Sequence, residues 1–211
     1  AEINLIKDKS ILIGQFDSLL DKEIINRLVK KGINIFSLNL LPRITRAQSM
    51  DVLSSQANLA GYRAVIESVE EFDRAVPMMM TAAGTIVPAK ILVIGAGVAG
   101  LQAIATAKRL GGIVSATDVR STAKEQVESL GSKFLSVEGA DNLETREGYA
   151  KEAGEDFKKK QAELLKNYVK KNDIIICTAL IPGKKAPRII SENMVKSMQP
   201  GSIIYDLAVG P

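Results

Sequence analysis

The stretch "KILVIGAGVAG", residues 90–100, decides how the chain is read. Its opening, "KILVIG", is a continuous apolar run of the kind given by a strand buried on both faces. The remainder places Gly95, Gly97 and Gly100 as G-x-G-x-x-G. Alone, such a triplet is a weak sign. Directly after a buried strand and at the opening of a helix, it is a meaningful one. The first glycine permits a tight turn, the second lets a pyrophosphate approach the backbone, and the third lets the helix pack against the strand. The N–H groups of the first helical turn then face the anion.

Toward the C-terminus, strand and helix patterns alternate. "GVAGLQAIATAKRLG" (97–111) reads as a helix with Ala99, Ala103 and Leu110 on or near its inward stripe and Gly111 as its stop. "GIVSATD" (112–118) is a second strand, and "STAKEQVESLG" (121–131) is a helix capped by Ser121 and closed by Gly131. "KFLSV" (133–137), "DIIICTA" (173–179) and "GSIIYDLA" (201–208) are further strands, with a helix near "SENMVKSM" (191–198) before the last. This alternation requires parallel strands joined by helical crossovers, an α/β doubly wound sheet of Rossmann type. Asp118 closes the second strand, where a carboxylate accepts hydrogen bonds from an adenosine ribose and repels the extra phosphate of NADP. Arg120, two residues on, argues the other way, and NAD(H) is favoured over NADP(H). The bland alternative has the glycines serving only packing and Asp118 as a helix-entry acid. Thr178, Ala179 and Leu180 follow the fourth strand at the carboxyl edge, placed to line the nicotinamide side of a dinucleotide.

The N-terminal part is smaller. "ILIGQF" (11–16) and "INIFSL" (33–38) look like strands, with a helix between them on Leu20, Ile24 and Leu28. Thr45 through Glu71 reads as one long helix, too long for an ordinary surface element. The expected organisation is a partial N-terminal α/β domain over residues 1–44, a bridging helix over 45–75, and a nucleotide-binding domain over 76–211. Residues 138–154, with three glycines and many acids, exceed the usual connection of about 4–6 residues. They read as a lid or an idle surface loop, with Tyr149 the one large side chain a closing lid could bring over a site.

Composition limits the alternatives. Apolar residues are 46% of 211, enough for a full core. Net charge is +4 but aromatics are only 4%, which argues against nucleic-acid binding. The single cysteine, Cys177, lies in an apolar run and reads as a core residue. With one cysteine and no histidine, a zinc or iron site is not expected. No run of about 18 apolar residues suggests a membrane span, so this piece is expected to be soluble. A signal-peptide pattern is interrupted by Glu2, Lys7, Asp8 and Lys9. The chain opens at Ala1 and stops after "DLAVGP", and it reads as a piece of a longer polypeptide that lacks a further strand and much of its first domain.

One cluster needs more than capping to explain it. In "LPRITRAQSMDVLSSQANLAGYRAV" (41–65), Thr45 and Gln48 form the T-x-x-Q of a capping box. Gln48, Asp51, Ser54, Ser55 and Asn58 then fall on one polar stripe, opposite Met50, Leu53, Ala57, Ala60 and Ala64. A solvated helix face would carry long charged residues. This one carries short hydrogen-bonding groups flanked by Arg43 and Arg46, a composition suited to gripping amides and ribose hydroxyls.

With that cluster in place, the chain resembles the NAD(H)-binding domain I, in the alpha subunit, of proton-translocating nicotinamide nucleotide transhydrogenases. The matching stretches include "PRITRAQSMDVLSSQANLAGYRAV", "PMMMTAAGTIVPAKILVIGAGVAGLQAIATAKRLG", "ATDVR", "EQVESLGSKF", "GYAKEAGEDFKKKQAE", "TALIPGKKAP" and "MQPGSIIYDLAV". The first 40 residues match in pattern only. The resemblance implies hydride transfer from NADH on this domain to NADP⁺ on a separate domain III, coupled to proton movement through a membrane domain II. It implies a homodimer, peripheral to a bacterial cytoplasmic membrane or to a mitochondrial or other organellar one. By the same resemblance Arg43, Asp51 and Ser54 orient the nicotinamide end of NAD(H), and Gln48 reaches toward the other dinucleotide. Val98, Asp118, Val119 and Arg120 contact the adenosine half, Gly148 and Tyr149 lie on a mobile loop, and Gln161 and Leu180 add cofactor contacts. Ala153 stands where the family often has Met.

Hydride exchange between two nicotinamides moves no proton at the reacting carbons, so no general base is needed. It needs two rings held with reacting atoms about 3–3.5 Å apart. A chain without histidine agrees with that chemistry. Two rivals remain at this point. An alanine dehydrogenase shares "GTIVPAK"-like and glycine-loop segments, but its proton-handling groups would lie upstream of Ala1. A nucleotide-binding module without turnover of its own is the other.

Overall fold

The computed structural model describes residues 2–16, 22–42, 44–137, 154–180 and 186–209. The chain divides into two compact units, Ala1–Ser55 and Gln56–Pro211.

In the first unit, strand β1 (Ile11–Gly14), helix α1 (Lys22–Lys30) and strand β2 (Asn34–Ser37) form a parallel crossover, with Ile11 opposite Asn34 and Gly14 opposite Ser37. Leu28 and Ile33 are its buried apolar residues at 1% and 6% exposure. Gly32, at φ +67°, lets the chain leave α1 in the left-handed region.

The expected long helix from Thr45 is two elements. Thr45–Met50 is a 3₁₀ helix, Asp51 breaks it at φ −78° and ψ 80°, and α2 runs over Val52–Glu70. The capping box does not form either: Ile44 stands at the cap position of the 3₁₀ turn, and no side chain caps it. The physical reason lies a turn later. Asp51 accepts the Ser54 N–H at 2.9 Å and starts the α-helix there, leaving the preceding turn to wind tighter.

The second unit follows the alternating pattern. After a short hairpin, β3 (Met79–Thr81) against β4 (Gly84–Ile86), come β5 (Lys90–Ile94), α3 (Val98–Arg109), β6 (Ile113–Thr117), α4 (Ala123–Ser129), β7 (Lys133–Phe134), α5 (Glu155–Val169), β8 (Ile174–Cys177), α6 (Glu192–Lys196) and β9 (Ile203–Asp206). Five of the strands form one parallel sheet in the order β7-β6-β5-β8-β9. Successive side chains in β5 and β8 point to opposite faces. Ile91, Val93, Ile174 and Ile176 pack with Ala64 and Val65 of α2, Ala103 and Ile104 of α3, and Val127 of α4. Leu92, Ile94 and Ile175 pack with Leu165 and Val169 of α5 and Met194 of α6. Helices thus cover both faces, which makes this a doubly wound Rossmann-type unit. Cys177 is partly buried against the second cluster, and burial pushes its thiol up to about 12.

Further details differ from the sequence reading. α4 begins after Thr122 rather than at Ser121, and no side chain caps it at Thr122. The hairpin and α5 are elements that the sequence reading does not assign. No described helix is long and apolar enough to cross a membrane.

Candidate dinucleotide site

The carboxyl ends of β5, β6 and β8 lie in register, Ile94 beside Thr117 on one side and beside Cys177 on the other. From β5 the chain runs outward through β6 to β7 and then returns to β8 on the other side of β5, so the strand order reverses there. A crevice at such a switch point is where ligands bind in open parallel sheets.

The glycine turn sits at that mouth, and its three glycines serve three different purposes. Gly95 has φ +97°, a conformation that side chains rarely adopt, and a Cβ there would meet Thr178 Oγ1 at 2.8 Å and Ala179 N at 3.0 Å. Gly100 is pressed against the strand end, since a Cβ would lie 1.9 Å from the Gly95 carbonyl oxygen. At Gly97 a Cβ would meet nothing within 4 Å. Among the described residues no neighbour requires a glycine at this position, and the space beside the backbone is open. Gly97 precedes Val98 as the cap of α3, and the first N–H groups of a helix have no partner within it. An open approach to those donors fits a pyrophosphate.

Thr178 and Ala179 join this turn. The Thr178 hydroxyl donates to the Gly95 carbonyl at 2.8 Å, tying the end of β8 to the glycine turn. Leu180 is 54% exposed. Val98 opens α3, and Val119 lies partly buried between Asp118 and Arg120.

Asp118 is held more tightly than its sequence position suggests. Oδ2 accepts the Ala96 N–H at 2.7 Å and Arg120 Nη2 at 3.0 Å, and Oδ1 accepts the Arg120 N–H at 2.8 Å and Arg120 Nε at 2.9 Å. The strap to Ala96 fixes the glycine turn from the β6 side, as Thr178 does from the β8 side. Gln161 lies on the inward face of α5 with Leu165 and Val169, 8% exposed.

The first unit contains Gln48, Asp51, Ser54 and Ser55 of the polar cluster. Asp51 Oδ2 accepts the Ser54 hydroxyl at 2.6 Å while Oδ1 takes the Ser54 N–H, so these two side chains form one capping pair. Ser55 donates to the Val52 carbonyl at 3.1 Å, and Gln48 is exposed. Arg43, Gly148, Tyr149 and Ala153 lie outside the described residues.

Sequence reading misses Gly61. A Cβ on this α2 residue would lie 2.0 Å from the Ala99 carbonyl oxygen, in the first turn of α3. Its signal is available in the small neighbours Ala57, Ala60 and Ala64, which mark a face for close backbone approach.

Comparison with known proteins adds the family context. The profile described as "Alanine dehydrogenase/PNT, C-terminal domain" matches residues 64–211, and its N-terminal counterpart matches residues 1–60. The chain is 59% identical over 210 residues to an "NAD(P) transhydrogenase subunit alpha" chain of Rhodospirillum rubrum, the first of the pieces into which that subunit is divided, covering 99% of this chain and 55% of that one. It is 25% identical over 213 residues to the "Alanine dehydrogenase" of Methanococcus maripaludis, covering 99% and 51%. The crystal structure of transhydrogenase from Sinorhizobium meliloti superposes with a TM-score of 0.81 at 52% identity, covering 98% of this chain and 55% of that one. The chain therefore spans about half the length of these relatives.

Proposed function

The chain belongs to the alanine dehydrogenase/PNT family, and from that premise we propose that it is the NAD(H)-binding component of a proton-translocating transhydrogenase. The single observation that best supports a dinucleotide there is the contrast among the three glycines. Gly95 and Gly100 are required by protein neighbours, whereas Gly97 faces open space at the start of a helix. Identity of 59% to a transhydrogenase chain against 25% to an alanine dehydrogenase favours the first branch of the family.

Bound NADH supplies a hydride from its nicotinamide ring. The N-terminal turn of α3, opened by Gly97 and Val98, receives the pyrophosphate. Asp118, with Val119 and Arg120, engages the adenosine half. Thr178, Ala179, Leu180 and Gln161 contact the cofactor beyond the phosphates. Arg43, Asp51 and Ser54 orient the nicotinamide end, Gln48 reaches toward NADP(H) carried by a partner domain III, and Gly148 and Tyr149 add cofactor contacts. None of these residues has to take a proton from the reacting carbons, so their work is positioning and hydrogen bonding. Membrane domain II and a second copy of this chain complete the assembly, which is peripheral to a membrane.

The test supplies the complete enzyme with NADH and thio-NADP⁺, and separately with NAD⁺ and L-alanine. Reduction of the thio analogue with no alanine-dependent NADH formation supports this reading. Alanine-dependent NADH formation without reduction of the analogue replaces it with the alanine dehydrogenase reading.

A further inference from the structure

The Asp118 carboxylate is already full, with four donors on its two oxygens. A carboxylate offers about four lone-pair positions. Here Oδ1 takes the Arg120 N–H and Nε, and Oδ2 takes the Ala96 N–H and Arg120 Nη2. The two side chains are 7% and 14% exposed respectively, so solvent does little to loosen them. Two of the four donors are backbone N–H groups fixed by the glycine turn and by the bend after β6. The other two belong to the Arg120 guanidinium, and they alone can leave without moving the main chain.

A ribose diol brings two O–H donors to the same carboxylate. It replaces the two guanidinium donors one for one, at no net loss of hydrogen bonds to Asp118. A 2′-phosphate brings only acceptors and negative charge, so it cannot make that exchange while Asp118 is ionised. It would also have to draw Arg120 off a carboxylate that then faces the phosphate. We infer that the Asp118–Arg120 ion pair is a specificity-determining latch. Arg120 takes the acceptor positions that ribose hydroxyls would use, and Asp118 withholds it from a 2′-phosphate. This rests on the reading that the site takes NAD(H). It adds that the same site contains a latent 2′-phosphate position, from which the Asp118–Arg120 ion pair holds the guanidinium back.

The test uses probes that lack the nicotinamide, 5′-AMP and adenosine 2′,5′-bisphosphate, titrated calorimetrically against the complete subunit. In Asp118→Asn, the ratio of bisphosphate to 5′-AMP affinity rises at least tenfold, and bisphosphate binding becomes more sensitive to salt, as one new phosphate contact requires. In Asp118→Asn/Arg120→Gln that gain disappears. Asp118→Ser is made in parallel, in case the asparagine variant loses its cooperative melting transition. In Arg120→Gln alone, the ratio changes less than about threefold, because Asp118 already keeps the guanidinium from the phosphate. A gain that survives loss of Arg120 overturns the latch, as does a tenfold fall in the ratio for Arg120→Gln alone. A ratio that stays fixed in a folded Asp118 variant, with NADH still binding the unaltered protein, overturns it too. Failure of NADH and 5′-AMP to bind the unaltered protein sinks the NAD(H) reading instead, and the latch with it.

Discussion

The Asp118 carboxylate accepts the Ala96 N–H at 2.7 Å, so the acid at the end of one strand fastens the glycine turn at the end of its neighbour. The residue predicted to read the ribose is also a structural strap. Asp118→Ala leaves the Ala96 N–H and the Arg120 guanidinium without that acceptor. It is expected to lower unfolding stability by about 1–3 kcal/mol, the cost of orphaning buried donors. Urea denaturation checks this. A variant as stable as the parent would show that the strap carries nothing.

Gly97 and Gly100 separate binding from folding. Gly97→Ala meets no atom of the described residues within 4 Å, and the backbone there has φ −77°. It is expected to cost no more than about 1 kcal/mol in stability, the loss of a permissive cap residue. NADH affinity should nevertheless fall tenfold or more, because the methyl stands where the pyrophosphate approaches. Gly100→Ala sets a Cβ 1.9 Å from the Gly95 carbonyl oxygen and is expected to cost about 1–3 kcal/mol and to lose binding as well. Thermal melts with and without NADH distinguish the two.

Asp51 caps α2 through Ser54, so its role in a cofactor site has to be separated from its role in the helix. Asparagine caps as well as aspartate, whereas alanine costs about 0.5–2 kcal/mol. Asp51→Asn should therefore melt close to the parent while hydride transfer falls at least tenfold, if the negative charge orients the nicotinamide end. Unchanged transfer in Asp51→Asn would reduce Asp51 to a cap.

Cys177 provides a pH test of burial. Its thiol is pushed from 9.0 to about 12, chiefly by burial and secondarily by the Asp206 carboxylate. Each unit is a factor of ten, so near neutral pH its thiolate is about a thousandfold scarcer in the folded chain than in the unfolded one. Alkylation by iodoacetamide at pH 8 should be slower than in urea by about that factor. The sign for stability follows. A raised folded value means this contribution is fully present below pH 9 and is lost as pH climbs toward about 12. Cys177→Ala should flatten that alkaline decline.

Much of the second unit is legible in the sequence because its strands are buried on both faces. Runs such as "KILVI" and "DIIIC" are too short and too continuously apolar for a half-exposed helix or strand, and they alternate with helical patterns. The glycine roles are legible for the same reason, since each follows from chain geometry. The long helix is misread because periodicity continues across Thr45–Glu71, while Asp51 resets the backbone through a local hydrogen bond that periodicity does not register. α5 escapes because three lysines at 158–160 interrupt the spacing of Phe157, Gln161 and Leu165. The saturation of Asp118 cannot be read from sequence at all. It depends on Arg120 folding back two residues and on Ala96 arriving from another strand.

The central claim is direct carbon-to-carbon transfer, and deuterium follows it most directly. The complete enzyme is given NADH deuterated at nicotinamide C4 together with an NADP⁺ analogue, and the label is traced by mass spectrometry. The expected result is deuterium on C4 of the analogue's ring and none in water. Deuterium released to solvent, or carried onto a small keto acid's product, would contradict it.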